Sequence, residues 1–241
     1  MPKAVLGEFL GTMVLILMGN GVVANVLLKR SKAEGAGWMA IATGWGLAVM
    51  AGVFTAIACG GEGHLNPAVT LAAAIISGDF SKLGWYTAAQ MAGAMVGACL
   101  VWLHFLPHWG VTPESDLKRA CFCTAPAIRS PWANLMSEAI ATFVLVFVAS
   151  AIFSKSVAAG GPVAGLGPYL VGSLIWAIGL SLGGTTGYAM NPARDLGPRI
   201  VHALLPMANK NGSDWGYAAV PIVGPLLGAT LAALLVRAVH M

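Results

Sequence analysis

Gly63-His64-Leu65-Asn66-Pro67-Ala68-Val69-Thr70 decides how this chain is read, together with its echo Gly187-Tyr188-Ala189-Met190-Asn191-Pro192-Ala193-Arg194-Asp195. Each Asn-Pro-Ala follows an apolar run too long for a soluble domain, so each sits where a chain re-enters a membrane. Asn caps a helix N-terminus through its side-chain oxygen, and Pro is best tolerated as the first helical residue, where its missing N–H costs nothing. Asn66-Pro67-Ala68 and Asn191-Pro192-Ala193 therefore predict helix starts. After each start the apolar pattern lasts roughly eleven residues, about 16 Å at the helical rise, or half of a bilayer core. Two half-helices are expected, entering from opposite faces and meeting near the midplane with their partially positive ends together.

The surrounding sequence belongs to an integral membrane protein. Of its 241 residues 58% are hydrophobic and only 9% charged, too few charges to solvate a globule of this size. Thirteen Lys and Arg against nine Asp and Glu give a net charge of +4, scattered between apolar runs, so no basic face offers itself to a nucleic acid. Cys59 and Cys99 lie in apolar runs, and Cys121 and Cys123 share a loop without the spacing or His partners of a zinc site. They are read as structural, and neither a metal nor a cofactor is expected. Met1-Pro2-Lys3 runs straight into a span carrying Glu8, with no small-residue cleavage signature, so no cleaved targeting peptide is expected.

Six full spans are predicted at about 4–28, 38–59, 83–105, 132–153, 169–182 and 215–239, with half-helices at about 67–77 and 192–203. The longest connection is 106–131, and a Gly- and Pro-rich link covers 154–168. The fold class is an all-α membrane protein, one channel domain over 1–241 made of repeat 1 (about 1–106) and repeat 2 (about 132–241). Three markers recur in the same order: Glu8 and Thr12 against Glu138 and Thr142, Asn66 against Asn191, and Gly93-x-x-x-Gly97 against Gly224-x-x-x-Gly228. Each repeat holds an odd number of full spans, so the second enters the bilayer in the opposite sense, an arrangement that places a site at mid-depth. No nucleophile, base and orienter combination stands in or near the spans, and an enzyme is not expected.

Backbone at membrane depth is tolerated where it is buried in protein or lines a wet cavity. The Gly-rich approaches therefore predict two ladders of carbonyl oxygens, from Glu62, Gly63, His64 and Leu65 and from Thr186, Gly187, Tyr188 and Ala189. Such oxygens replace the hydrogen bonds that a polar molecule gives up on leaving water. Each Asn is expected to hold its own helix through its oxygen and keep its amide NH2 free for the passage. Arg194 supplies a permanent cation, and an intramembrane charge costing ~2.5–3.5 kcal/mol is functional by default. The plainer alternatives are that it snorkels to the surface or pairs with Asp195.

Two Asn-Pro-Ala motifs, the second running into Arg194, on a duplicated three-span unit resemble the aquaporin or major intrinsic protein family over essentially the whole chain. Asp195, Arg199 and Pro221-Ile222 resemble its glycerol-conducting branch. The resemblance implies a constriction at Trp45, Gly179, Tyr188 and Arg194. Gly179 stands where water-selective relatives typically carry His and so leaves room for a carbon chain, while Trp45 and Tyr188 form an apolar corner. Glu8 and Glu138 are implied to hold the re-entrant loops by accepting backbone N–H groups. This chain departs from the pattern in having Tyr188 where glycerol facilitators often have Phe, and one additional residue in the Gly60–Gly63 approach.

The implied function is passive passage of glycerol and related small neutral solutes, with water also passing and ions and protons refused, by a homotetramer embedded in the lipid of the plasma membrane. The alternatives are a water-dominated channel, or a facilitator of urea, hydrogen peroxide or undissociated small acids. A coupled transporter would need an intramembrane ion site that changes through a cycle, and only two paired carboxylates and a fixed Arg are visible. Charge counting opposes the family orientation. Lys3, Lys82, Lys155 and Arg237 fall on the N-terminal side, against Lys29, Arg30, Lys32, Lys118, Arg119, Arg129 and Lys210 on the other.

Overall fold

Ten α-helices succeed one another in the computed structural model, which describes residues 2–157 and 159–241. Met1, and Ala158 within the predicted 154–168 link, lie outside the described residues. The helices are α1 (Pro2–Leu27), α2 (Gly37–Ala58), α3 (Pro67–Ser77), α4 (Leu83–His104), α5 (Leu106–Val111), α6 (Ser115–Ala120), α7 (Pro131–Phe153), α8 (Leu166–Leu182), α9 (Pro192–Leu204) and α10 (Val220–Ala238). The segments of α1, α2, α4, α7 and α10 are long and apolar enough to cross a membrane. α8, at 17 residues, is at the short end of what a bilayer core requires.

Three boundaries differ from the sequence expectation. α8 begins at Leu166 instead of near 169, because Gly165 at φ 84° turns the chain and Pro168 fits in a first turn whose N–H groups need no helical partner. The long connection is not irregular throughout but folds into α5 and α6. The last span opens with a 3-10 turn at Trp215–Tyr217, and the α-helix proper starts at Val220, with Pro221 in its first turn.

α1 packs on α2 and α4, α7 packs on α8 and α10, and the contact of α2 with α8 joins the two halves. Small residues set these distances. A β-carbon at Gly93 would collide with the Phe9 carbonyl oxygen of α1, and one at Gly228 with the Ala139 carbonyl oxygen of α7. Both are close backbone approaches of the kind that membrane helices use in place of a hydrophobic driving force. The half-helices are exchanged between halves: α3 packs chiefly on α10, and α9 on α4. Each is therefore seated by the opposite half of the chain, and their N-termini face each other in the middle.

Both half-helices begin as their Asn residues dictate. Asn66 Oδ1 accepts from the Ala68 N–H at 2.8 Å, and Asn191 Oδ1 accepts from Ala193 at 3.0 Å and Arg194 at 3.2 Å. α3 stops at Gly78 in the left-handed conformation, φ 78°. α9 stops where the Lys210 ammonium donates to the carbonyls of His202, Ala203 and Leu205.

Candidate functional site

The two Asn side chains tie the re-entrant segments tip to tip. Asn66 Nδ2 donates to the Met190 carbonyl at 2.7 Å, and Asn191 Nδ2 donates to the Leu65 carbonyl at 2.8 Å. The expectation that each amide stays wholly free is therefore corrected: one hydrogen of each NH2 is spent across the junction, and one remains. The reason is geometric. Leu65 and Met190, each immediately before its Asn, have φ of 53° and 49°, which turns their carbonyls toward the opposite cap.

The carboxylates behind the loops are fully buried. Glu8 accepts from the N–H groups of His64 at 3.0 Å and Leu65 at 2.7 Å, and Glu138 from Ala189 at 3.0 Å and Met190 at 2.8 Å. Two consecutive donors on one carboxylate fix the direction of the loop and leave the carbonyls of the same peptides to point elsewhere. Glu8 also accepts from Gln90 Nε2 at 2.9 Å, and Gln90 donates to Thr70 Oγ1 at 3.0 Å. Gln90 was not among the expected residues. Its signal was a lone amide inside an apolar span, which needs partners as a buried carboxylate does.

A cavity of about 490 Å³ runs from the α1 N-terminal face to the level of Arg194. Glu62, Gly63, His64, Leu65 and Asn66 border it on one approach, and Tyr188, Ala189, Met190 and Asn191 on the other. Val49, Val53, Leu145 and Ile175 form part of its apolar wall. Pro67, Ala68, Pro192 and Ala193 lie just behind this lining, buried as the first turns of α3 and α9. Thr186 and Gly187 do not border the cavity, whereas Tyr188, Ala189 and Met190 do. The Glu62 side chain pairs with Lys82 and lies 3.6 Å from His64 Nε2.

Of the four residues expected at a constriction, three meet at the end of this cavity. The Arg194 guanidinium carbon lies 4.0 Å from the centre of the Trp45 ring, and Tyr188 shares the same lining. Arg194 does not pair with Asp195 or reach the surface. It is 8% exposed, while Asp195 is taken by Arg199 at 2.7 Å. Gly179 is placed differently from the expectation. Its missing side chain leaves space that the Tyr188 ring fills, a β-carbon there standing 2.7 Å from the Tyr188 hydroxyl, and Gly179 does not border the cavity.

Asp195 and Arg199 form a second, fully buried cluster. Arg199 Nε and Nη2 engage both Asp195 oxygens at 2.7 and 2.8 Å, while Nη1 and Nη2 also donate to the carbonyls of Ser213 at 2.5 Å and Thr124 at 2.9 Å. Thr124 returns its N–H and hydroxyl to Asp195 at 2.8 and 2.5 Å. One ion pair on α9 therefore anchors both long loops of that face. Only the four-residue spacing of Asp195 and Arg199 pointed to it.

Residues 1–236 match the family described as major intrinsic protein. The chain is 55% identical over 235 residues to glycerol uptake facilitator protein 3 of Lactiplantibacillus plantarum, covering 95% of this chain and 94% of that one. It is 53% identical over 232 residues to a probable glycerol uptake facilitator protein of Thermotoga maritima, with 95% and 96% covered. Its fold matches the X-ray structure of the aquaglyceroporin from Plasmodium falciparum with a TM-score of 0.87 at 29% identity, over 99% of this chain and 96% of that one.

Proposed function

The chain belongs to the major intrinsic protein family, and we propose that it is a passive channel for glycerol and related small neutral solutes. It is a multi-pass integral membrane protein. The observation that carries the proposal is the two-sided wall of the cavity. Val49, Val53, Leu145 and Ile175 face one side of a solute, and the approaches to Asn66 and Asn191 face the other. A linear polyol has the same division between its CH groups and its hydroxyls.

In this reading the hydroxyls exchange water for the carbonyls of Gly63, His64, Leu65, Tyr188 and Ala189 and for the remaining amide hydrogens of Asn66 and Asn191. The carbon chain slides along the aliphatic wall and past Trp45 and Tyr188. Ions are refused because this wall cannot replace their full hydration shell, and cations also meet Arg194 and two positive helix ends. Water passes along the same route. Protons do not, because water chains reorient about the Asn pair.

We read residues 1–241 as one channel domain of two inverted halves, acting without catalysis, as a homotetramer in the plasma membrane. Exposed Leu47, Phe54, Trp176 and Leu180 suit lipid or neighbouring subunits. Swelling of proteoliposomes tests the function. Glycerol entry is expected to stay proportional to concentration over a wide range and to ignore proton and sodium gradients; accumulation driven by either gradient would overturn it.

A further inference from the structure

Tyr188 is held in place by a residue outside the four assigned to the constriction. Its φ of 36° is one that side chains with a β-carbon rarely adopt, and its buried hydroxyl has no hydrogen-bond partner, so neither its backbone preference nor its polar end explains where the ring stands. Packing does. The ring lies against the end of α8, where β-carbons at Gly179 and at Gly183, the residue after the helix, would stand 2.7 and 2.6 Å from atoms of Tyr188. Trp38, in the first turn of α2, packs against that same end of α8 and against the ring. Its ring meets Tyr188 edge to face, with centroids 5.8 Å apart at 73°.

Trp38 is itself fixed by a hydrogen bond from Nε1 to the Gly179 carbonyl at 2.9 Å. That carbonyl is among the last four of α8, the ones for which a helix lacks partners of its own. A single indole thus holds the end of α8 through its N–H and packs on the Tyr188 ring. A β-carbon at Gly183 would stand 2.6 Å from Trp38 Cζ2 as well as from Tyr188 Cδ1, so the indole, Gly183 and the tyrosine ring are in close mutual contact.

We propose that Trp38 is a positioning residue that sets how far the Tyr188 ring projects toward Trp45 and Arg194, and thereby the size of solute admitted. The inference rests on the channel reading above, because it takes Trp45, Tyr188 and Arg194 as the narrow point. Trp38→Phe keeps an aromatic ring and loses the N–H; Trp38→Leu loses both.

The test has two arms on the full-length protein. Fluorotyrosine-labelled protein in detergent is followed by fluorine NMR, with Tyr188 assigned from its missing signal in Tyr188→Phe. The Tyr188 resonance should shift in Trp38→Leu and shift less in Trp38→Phe. In proteoliposomes, Trp38→Leu should raise the erythritol-to-glycerol permeability ratio roughly tenfold, the low end of the discrimination that one methylene of pocket space carries, with Trp38→Phe in between. An unmoved resonance in Trp38→Leu overturns the positioning role, and so does a moved resonance with an unchanged ratio. Wild-type vesicles impermeable to glycerol would overturn the channel reading instead, leaving the fluorine arm to decide the placement of Tyr188.

Discussion

Arg194 lies over the Trp45 ring, its guanidinium carbon 4.0 Å from the ring centre, so the cation covers one face of the indole at the end of the cavity. A solute that presents its carbon chain to that face of the indole competes with the guanidinium for it. Cation–π contacts contribute ~0.5–2 kcal/mol, with the larger values for desolvated pairs.

Trp45→Leu removes the stack and leaves the charge. If the contact adds ~1 kcal/mol to the passage barrier, glycerol permeability rises about fivefold. Stopped-flow light scattering on vesicles of matched protein content measures it. A lower glycerol permeability would mean that the indole helps the solute more than it restrains Arg194.

Glu138→Gln replaces one of two acceptor oxygens by an NH2, leaving the Ala189 or Met190 N–H buried without a partner. The cost of such a group is ~1–3 kcal/mol. The variant should unfold at a lower temperature in detergent than the wild type. Glu8→Gln should lose a comparable amount, because it too can accept from only one of its two backbone N–H partners. Equal stability of all three proteins would show that the loops hold their course without these carboxylates.

Asp195→Asn leaves Arg199 buried with its charge uncompensated, and removing one member of a buried pair costs ~3–5 kcal/mol. Arg199→Lys should be nearly as damaging, since an ammonium cannot reach Asp195, Thr124 and Ser213 together as the guanidinium fork does. Both variants are expected to lower the thermal midpoint sharply. Limited proteolysis should cut them first in the loops around Thr124 and Ser213.

Cys121 and Cys123 are buried in the loop that this pair anchors. Burial raises the Cys121 thiol above its ordinary range and pushes Cys123 up to about 12, although the nearby Arg199 charge opposes the shift. Because the thiolate is the reactive form, a maleimide at pH 8 should leave both unmodified in the folded protein and label them after denaturation. Mass spectrometry of the peptides carrying Cys121 and Cys123 reads the result. In Asp195→Asn, folded-state labelling should become measurable.

The half-helices were legible because their cause is local: an Asn that caps and a Pro that starts lie next to each other in sequence, and the observed starts at Pro67 and Pro192 follow. The paired positions of Glu8 and Glu138 were legible because a carboxylate in an apolar span stands out against its neighbours. The Asn66–Met190 bond and the Arg194–Trp45 stack were not, since each joins residues more than a hundred positions apart and depends on side-chain direction. Gly179 illustrates the limit most sharply. The sequence shows that a side chain is absent, but only the packing of Tyr188 shows which neighbour takes the space.

That packing makes Gly179 and Tyr188 one unit, and a double-mutant cycle tests it. Gly179→Ala places a β-carbon 2.7 Å from the Tyr188 hydroxyl, 2.8 Å from Cζ and 3.1 Å from Cε2, so the ring must shift. Displaced from α8, it moves toward Trp45 and Arg194, and glycerol flux should fall more than water flux because the wider molecule meets the narrowing first. Tyr188→Phe removes the atom nearest the new methyl group and a hydroxyl buried without a partner, so that variant alone should be as stable as the wild type or more so. Combined with Gly179→Ala, it should restore part of the glycerol flux, with a coupling of ~0.5–3 kcal/mol, the range found for residues in contact. Additive losses, with glycerol and water falling in step, would show that Gly179 acts through the helix backbone and not through the ring.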